Sequence, residues 1–233
     1  IFFLTSIAGI SPSKAGIISL FAVMWDAITD PIVGFMSDKL KTNKWGKRVP
    51  FILGGAIPMG ICIFLMFCDI QSFGETAKII YFLIINIAFW FFFTMTDLPY
   101  IVAAAEITND YDMKTKLRTS TMVFMGMSQI LLSSGVIKFI DIMAAQGQDN
   151  ILTWRIIGVS LGTLSALAFV IAGFSIKGKE IEWKDEEIKN AEDSSRKSLL
   201  EAWDSFKHAF SLKQYRLVVY MAFLYNIAFG ILI

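Results

Sequence analysis

Apolar stretches alternate with short polar or charged stretches along this chain of 233 residues. A run of roughly 20 apolar residues lets a helix cross a bilayer. The pattern predicts spanning helices at about residues 15–38, 50–69, 79–105, 119–140 and 154–176. The apolar runs at 1–10 and 217–233 are interpreted as the end of a first helix and the start of a seventh. We therefore expect a piece of a larger all-α membrane protein.

Composition agrees with this class. Hydrophobic residues make up 55% of the chain, charged residues 18%, and the mean hydropathy is +0.60. Soluble domains carry about 25% charged residues. The formal net charge is +1, which gives no reason to expect a nucleic-acid partner. The lipid bilayer is the expected surrounding, and no cofactor is predicted.

Basic residues are concentrated after the second, fourth and sixth apolar segments, which predicts that these loops are cytoplasmic. The cell (plasma or inner) membrane is the expected location. Residues 1–176 are predicted to form an N-terminal transmembrane bundle, and 217–233 to begin a C-terminal one. Between them, 177–216 form a cytoplasmic middle loop, with an amphipathic helix at about 198–210. This layout is typical of transporters built from two six-helix halves.

Acidic residues inside the second segment are the first candidate for chemistry. Asp26 and Asp30 are four residues apart and so project from one helical face, to which Thr29 adds a hydroxyl. Pro31 removes the helical partner of the Ala27 carbonyl. Acids inside a membrane span are costly and mark ion or substrate sites. The oxygens therefore indicate a site for a proton or a hard cation, with Na⁺ held by Asp26 and Asp30.

The fourth segment carries a matching acid. Asp30 lies eight residues before Asp38, and Asp97 lies nine before Glu106. At ~1.5 Å per residue both acids lie ~12–14 Å from the predicted cytoplasmic interface. Thr94, one turn outward from Asp97, is on the same side of its helix. The second and fourth segments are therefore predicted to line a central polar cavity.

Two stretches resemble the glycoside–pentoside–hexuronide:cation symporters, the melibiose permease family of the major facilitator superfamily. They are WDAITDPIVGFMSD at 25–38, continuing with KTNKWGKRVP at 41–50, and DLPY at 97–100, followed by EITNDY at 106–111. The resemblance implies symport of a sugar with Na⁺, Li⁺ or H⁺. It also implies that cation ligands lie at Asp26, Thr29, Asp30 and Thr94, and substrate contacts at Asp97 and Ile101.

The chain departs from the family pattern at three positions. Thr29 stands where the family type has asparagine, and Ile101 stands where it has tryptophan. No arginine follows Arg118 in the residues at 119–122, where the family has one early in the fifth helix. The departures leave two substrate classes open, a sugar or a lipid or lysolipid. Paired aspartates also occur in intramembrane aspartyl proteases, but their Gly-x-Gly-Asp signature is absent, so no enzyme activity is expected.

Two further patterns concern loops and packing. The loop after the second segment resembles the superfamily's cytoplasmic gating loop, with its residues at Gly34, Asp38, Gly46, Lys47 and Arg48. Small residues are clustered in the third and sixth segments, which predicts close helix packing there. They are Gly54, Gly55, Gly60, Gly158 and Gly162.

Overall fold

The computed structural model describes residues 2–39, 45–46, 48–68, 70, 72–106, 108, 110–178, 208 and 211–232. Of residues 35, 38, 39, 105, 106, 222, 223 and 225–232 it describes only the backbone. A π-helical turn, Phe3–Ile7, is followed by the α-helices of the described chain. These are α1 Pro12–Lys39, α2 Val49–Met66, α3 Glu75–Glu106, α4 Tyr111–Ala145, α5 Asn150–Ile176 and α6 Lys213–Leu232.

The helices α1 to α5 are each long and apolar enough to cross a membrane. They correspond to the second to sixth apolar segments of the sequence, and α6 corresponds to the seventh. The predicted all-helical membrane class is therefore confirmed. The first segment is helical, but as a π-helical turn, Phe3–Ile7, rather than as the last turns of an α-helix.

The helices α1 to α5 all begin earlier than the apolar pattern predicts, and two of them show why. Residues 12–14, which precede the predicted span at 15–38, already belong to α1, because proline fits the first helical position, where no partner for an N–H is needed. The helix α4 begins at Tyr111 rather than near Thr119, since the side chain of Asp110 accepts a hydrogen bond from the Asp112 N–H. The charged residues before Thr119 thus lie in the first turns of α4, not in a loop.

The helix α3 lies at the centre of the bundle formed by α1 to α5. It packs against α1 on one side and against α2 on another, and α2 in turn packs along α5. The helix α4 contacts mainly α5, and none of its residues is buried. The helices α1, α2, α3 and α5 therefore form one packed group, which α4 contacts mainly through α5.

Apolar clusters close both ends of this packed group. At the predicted outer end the rings of Phe67 and Trp154 stack at 5.6 Å, and Phe3 packs edge-on against both. At the predicted cytoplasmic end, buried apolar side chains from α2, α3 and α5 form a second cluster of Val49, Ile52, Ala103 and Ile176. The polar residues described below lie between these two clusters.

Contacts divide the chain into two compact units, Ile1–Ile181 and Glu182–Ile233. The first unit contains α1 to α5, and the second contains α6. The three-part division at 176 and 216 stays a prediction. The predicted amphipathic helix at 198–210 lies outside the described residues except for His208.

Candidate cation and substrate site

A threonine from α3 joins the two aspartates of α1. The Thr94 hydroxyl oxygen lies 2.8 Å from Asp26 Oδ1 and 3.0 Å from Asp30 Oδ1. Both distances are within hydrogen-bonding range. Thr94 is almost fully buried, while both aspartates are half-buried. The fold therefore brings together three of the four residues predicted to hold a cation.

The number of protons available in this cluster limits what it can bind. A threonine hydroxyl has one proton, so it can donate to one of the two carboxylates only. Its second short contact then places two acceptor oxygens side by side, unless a further proton lies between them or a cation binds both. The charges of Asp26 and Asp30 also repel each other. Within the described part of the chain, no basic side chain forms an ion pair with Asp26 or Asp30.

Thr29, the fourth predicted ligand, is directed elsewhere. Its buried hydroxyl donates a hydrogen bond to the Asp26 carbonyl of its own helix, at 3.1 Å. Such a bond to the preceding turn is common for threonine inside a helix. The oxygen keeps its lone pairs, but no described contact joins it to either carboxylate. A cation-binding role for Thr29 stays a prediction.

Asp97, the predicted substrate residue, lies next to this cluster. Its charge interacts with that of Asp30, and its side chain is half-buried. None of the described residues donates a hydrogen bond to it, so its oxygens are available to a ligand. Ile101, one turn further along α3, is 44% exposed. These two positions therefore form an accessible strip beside the acid pair.

The donor set fits a hard cation better than a transition metal. Within the described part of the chain, no three His, Cys, Asp or Glu side chains come together as a metal site. The cluster instead offers carboxylate and hydroxyl oxygens, which are the ligands that hard cations take. A single positive charge bound by both carboxylates would offset their mutual repulsion.

The described part of the predicted gating loop is close-packed. A Cβ on Gly34 would lie 3.6 Å from Leu98 Cδ2, so a small residue here lets α1 approach α3. Gly46 has φ +90°, a conformation that favours glycine. Arg48 is 5% exposed and directly precedes α2. Lys47 and the side chain of Asp38 lie outside the described atoms, so their gating roles stay predictions.

One contact at this loop was missed in the sequence analysis. Lys177 Nζ lies 3.8 Å from the centroid of the Trp45 ring, and the Phe174 ring lies 5.9 Å from it. The loop after α1 is thereby attached to the end of α5. The sequence does contain a hint of this contact, because Trp45 is a large aromatic residue in a loop rich in lysines. Such a ring is stabilised when it packs against a cation or another ring. Its partners are more than 120 residues away, so only the fold identifies them.

Comparison with known proteins places this chain among membrane carriers. The model of the MFS/sugar transport protein family matches residues 1–233. An uncharacterized symporter of Synechocystis, sll1374, is 32% identical over 77% of this chain and 34% of its own length. The inner membrane symporter YicJ of Escherichia coli is 29% identical over 74% of this chain and 36% of its own length.

A lipid carrier is also among the relatives. The sodium-dependent lysophosphatidylcholine symporter 1-A of Danio rerio is 30% identical over 52% of this chain and 23% of its own length. The chain thus spans about a third or less of these relatives. All three are named as symporters, which favours transport over the protease interpretation.

Proposed function

This chain belongs to the MFS/sugar transport family, among the glycoside–pentoside–hexuronide:cation symporters, and we propose that its protein carries a sugar or glycoside across the membrane together with a cation. The observation that carries the proposal is the Thr94 hydroxyl within 3.0 Å of both Asp26 and Asp30. An acid pair that shares one hydroxyl proton needs a bound positive charge. Binding and release of that charge is the elementary step of cation coupling.

Na⁺ is the coupling ion that the donor set favours, and H⁺ is the alternative. A proton requires one carboxylate and no further ligand. The Thr94 hydroxyl, placed between the two acids, is of use to a metal ion that needs several oxygens. The relatives that carry lysophosphatidylcholine are named as sodium-dependent, which supports the same choice.

Coupling follows from the position of Asp97 beside the acid pair. A cation that neutralises Asp30 removes the repulsion between Asp30 and Asp97. Asp97 then needs less energy to remain charged and to accept hydrogen bonds from sugar hydroxyls. Each ligand would raise the affinity for the other by the same factor. Ion and substrate would therefore move together.

A lysolipid is the second substrate class that a specific observation favours. Ile101, where the family type has tryptophan, is apolar and 44% exposed beside Asp97. This side chain suits an acyl chain, and one group of relatives is named for lysophosphatidylcholine. Uptake of radiolabelled sugars and of labelled lysophosphatidylcholine by the same vesicles would separate the two classes.

The proposed orientation places the loop after α1 and the start of α4 in the cytoplasm. Trp45 and Arg48 belong to the former, and Lys114, Lys116 and Arg118 to the latter. Positive charge near the helix ends favours the cytoplasmic side. With this orientation α1 and α3 both run from outside to inside, and the Thr94 cluster lies in the membrane interior.

The experiment is substrate uptake into proteoliposomes at one fixed pH, with and without Na⁺. We expect Na⁺ to stimulate uptake. Thr94→Ala should raise the Na⁺ concentration for half-maximal uptake about tenfold, since one ligand oxygen is worth about 1.4 kcal/mol. Thr96→Ala is the matched control, because among the described residues the Thr96 hydroxyl bonds only to its own helix backbone and to Met59. Uptake that ignores Na⁺ and follows only the proton gradient would contradict the Na⁺ assignment.

A further inference from the structure

Three sides of α3 are occupied by other helices of the bundle. Leu98 lies against α1 at Gly34, and Thr96 lies against α2 at Gly55, where an added Cβ would be 2.8 Å from Thr96 Cγ2. Tyr100 pairs with an aromatic ring of α5, with centroids 6.2 Å apart. The helix therefore has one further side, between the α1 contact and the α5 contact.

Four residues form a stripe along this further side. Trp90, Phe93, Asp97 and Ile101 follow one another at intervals of three or four, the spacing of one helical face. None of the four is fully buried among the described residues. Trp90 precedes Asp97 by seven residues, a distance of ~10 Å along the helix axis. The stripe thus begins with an aromatic pair, continues with the acid Asp97 and ends with the apolar Ile101.

Neighbouring rings hold the indole of Trp90 in place. The Phe93 ring lies 5.8 Å from Trp90 at an interplanar angle of 86°, and the Phe89 ring lies 5.8 Å from it at 72°. Edge-to-face contacts of this kind are favourable and directional. A flat side chain held at a defined angle can accept another flat group on its free face without losing conformational entropy.

We propose that Trp90, supported by Phe93, is a second substrate subsite that binds the aglycone of a glycoside while Asp97 binds the sugar ring. The proposal rests on the proposed sugar transport. A ligand of two linked rings is long enough to reach both groups across ~10 Å of helix. Ligand sites generally combine an apolar, aromatic wall with a few polar groups, as this stripe does. The preferred substrates are therefore aryl or other bulky glycosides rather than free monosaccharides.

The test compares two ligands that differ only in the aglycone. Methyl and 4-nitrophenyl glycosides of galactose, glucose, xylose and glucuronic acid are titrated calorimetrically into the purified protein in Na⁺ buffer. For the sugar that binds, we expect the nitrophenyl form to bind about tenfold more tightly than the methyl form, which corresponds to ~1.4 kcal/mol for an aromatic stacking contact. Trp90→Ala should remove this preference and leave the affinity for the methyl glycoside within about twofold, while Trp90→Phe should retain most of it.

Phe92→Ala is the matched control, because Phe92 is two residues beyond Trp90 and so points ~200° away around the helix. It should leave both affinities unchanged. Equal affinities for methyl and nitrophenyl forms, or an unchanged preference in Trp90→Ala, would overturn the subsite and leave sugar transport standing. Failure of every glycoside to bind, with binding of lysophosphatidylcholine in the same buffer, would overturn the sugar assignment and the subsite together.

Discussion

Two helix interfaces of this bundle are built on opposite principles. Between α2 and α5 the backbones touch, since a Cβ on Gly60 would lie 2.6 Å from the Gly162 carbonyl oxygen. Between α1 and α3 the contact is polar, with Thr94 placed between Asp26 and Asp30. One interface brings the backbones of two glycines together, and the other holds two acids in the interior of a membrane protein.

The difference separates the support of the site from the site itself. Glycine contacts between helices depend on shape and van der Waals attraction, and no ion or pH change alters them. The acid pair is unfavourable without a positive charge, so its stability depends on what is bound. A ligand that binds only the folded site stabilises it in proportion to its concentration. We therefore expect the stability of the α1–α3 interface to depend on bound cations, whereas that of the α2–α5 interface does not.

The largest effect is expected from neutralising the acid pair. Asp30→Asn or Asp26→Cys should abolish ion-driven accumulation of substrate while some substrate binding remains. Losing one carboxylate should weaken cation binding about a hundredfold or more, because the other acid alone cannot replace its charge. Concentrative uptake in proteoliposomes is the measurement.

Asp141→Asn provides the control for that experiment. Asp141 is an exposed carboxylate on α4, far from the Thr94 contact in sequence, and its loss should leave uptake unchanged. Accumulation at the wild-type level in both Asp26→Cys and Asp30→Asn would show that the acid pair is not the coupling site.

A smaller but clear effect is expected at the glycine interface. Gly60→Val should destabilise the protein by about 3 kcal/mol or more, because the added atoms meet a backbone oxygen that cannot move aside. Gly126→Ala on α4, where nothing lies within 4 Å of an added Cβ, should be neutral or slightly stabilising. Thermal unfolding in detergent, with and without Na⁺, measures both. A normal unfolding temperature in Gly60→Val would mean that α2 and α5 are further apart than described.

The smallest effect is expected where the loop after α1 meets α5. Lys177→Met removes the charge above the Trp45 ring, a contact worth about 0.5–1 kcal/mol at an exposed position. The unfolding temperature should fall by only about 1–4 °C. Lys116→Met, an exposed lysine on α4, should have no effect. An equal change in both variants would indicate a general charge effect and not a specific contact.

The sequence by itself determined the helices and the type of chemistry. Continuous runs of about 20 apolar residues favour helices in a bilayer, because a helix satisfies its backbone hydrogen bonds within its own segment. The spacing of Asp26 and Asp30 places them on one face wherever the helix lies. The glycines of α2 and α5 likewise predicted close helix packing, which the Gly60–Gly162 contact confirms. These features are local, and a local pattern is enough to predict them.

Only the tertiary structure decided which residues meet. The hydroxyl of Thr94 reaches an acid 68 residues earlier in the chain, and Trp45 meets Lys177 from the far end of α5. Thr29 offers the same hydroxyl group as Thr94, but it donates its hydrogen bond to a carbonyl of its own helix. Hydrogen-bonding side chains accept whichever partner the packing brings within about 3 Å. The choice between such partners depends on the angle at which the helices cross, and a local sequence pattern does not predict that angle.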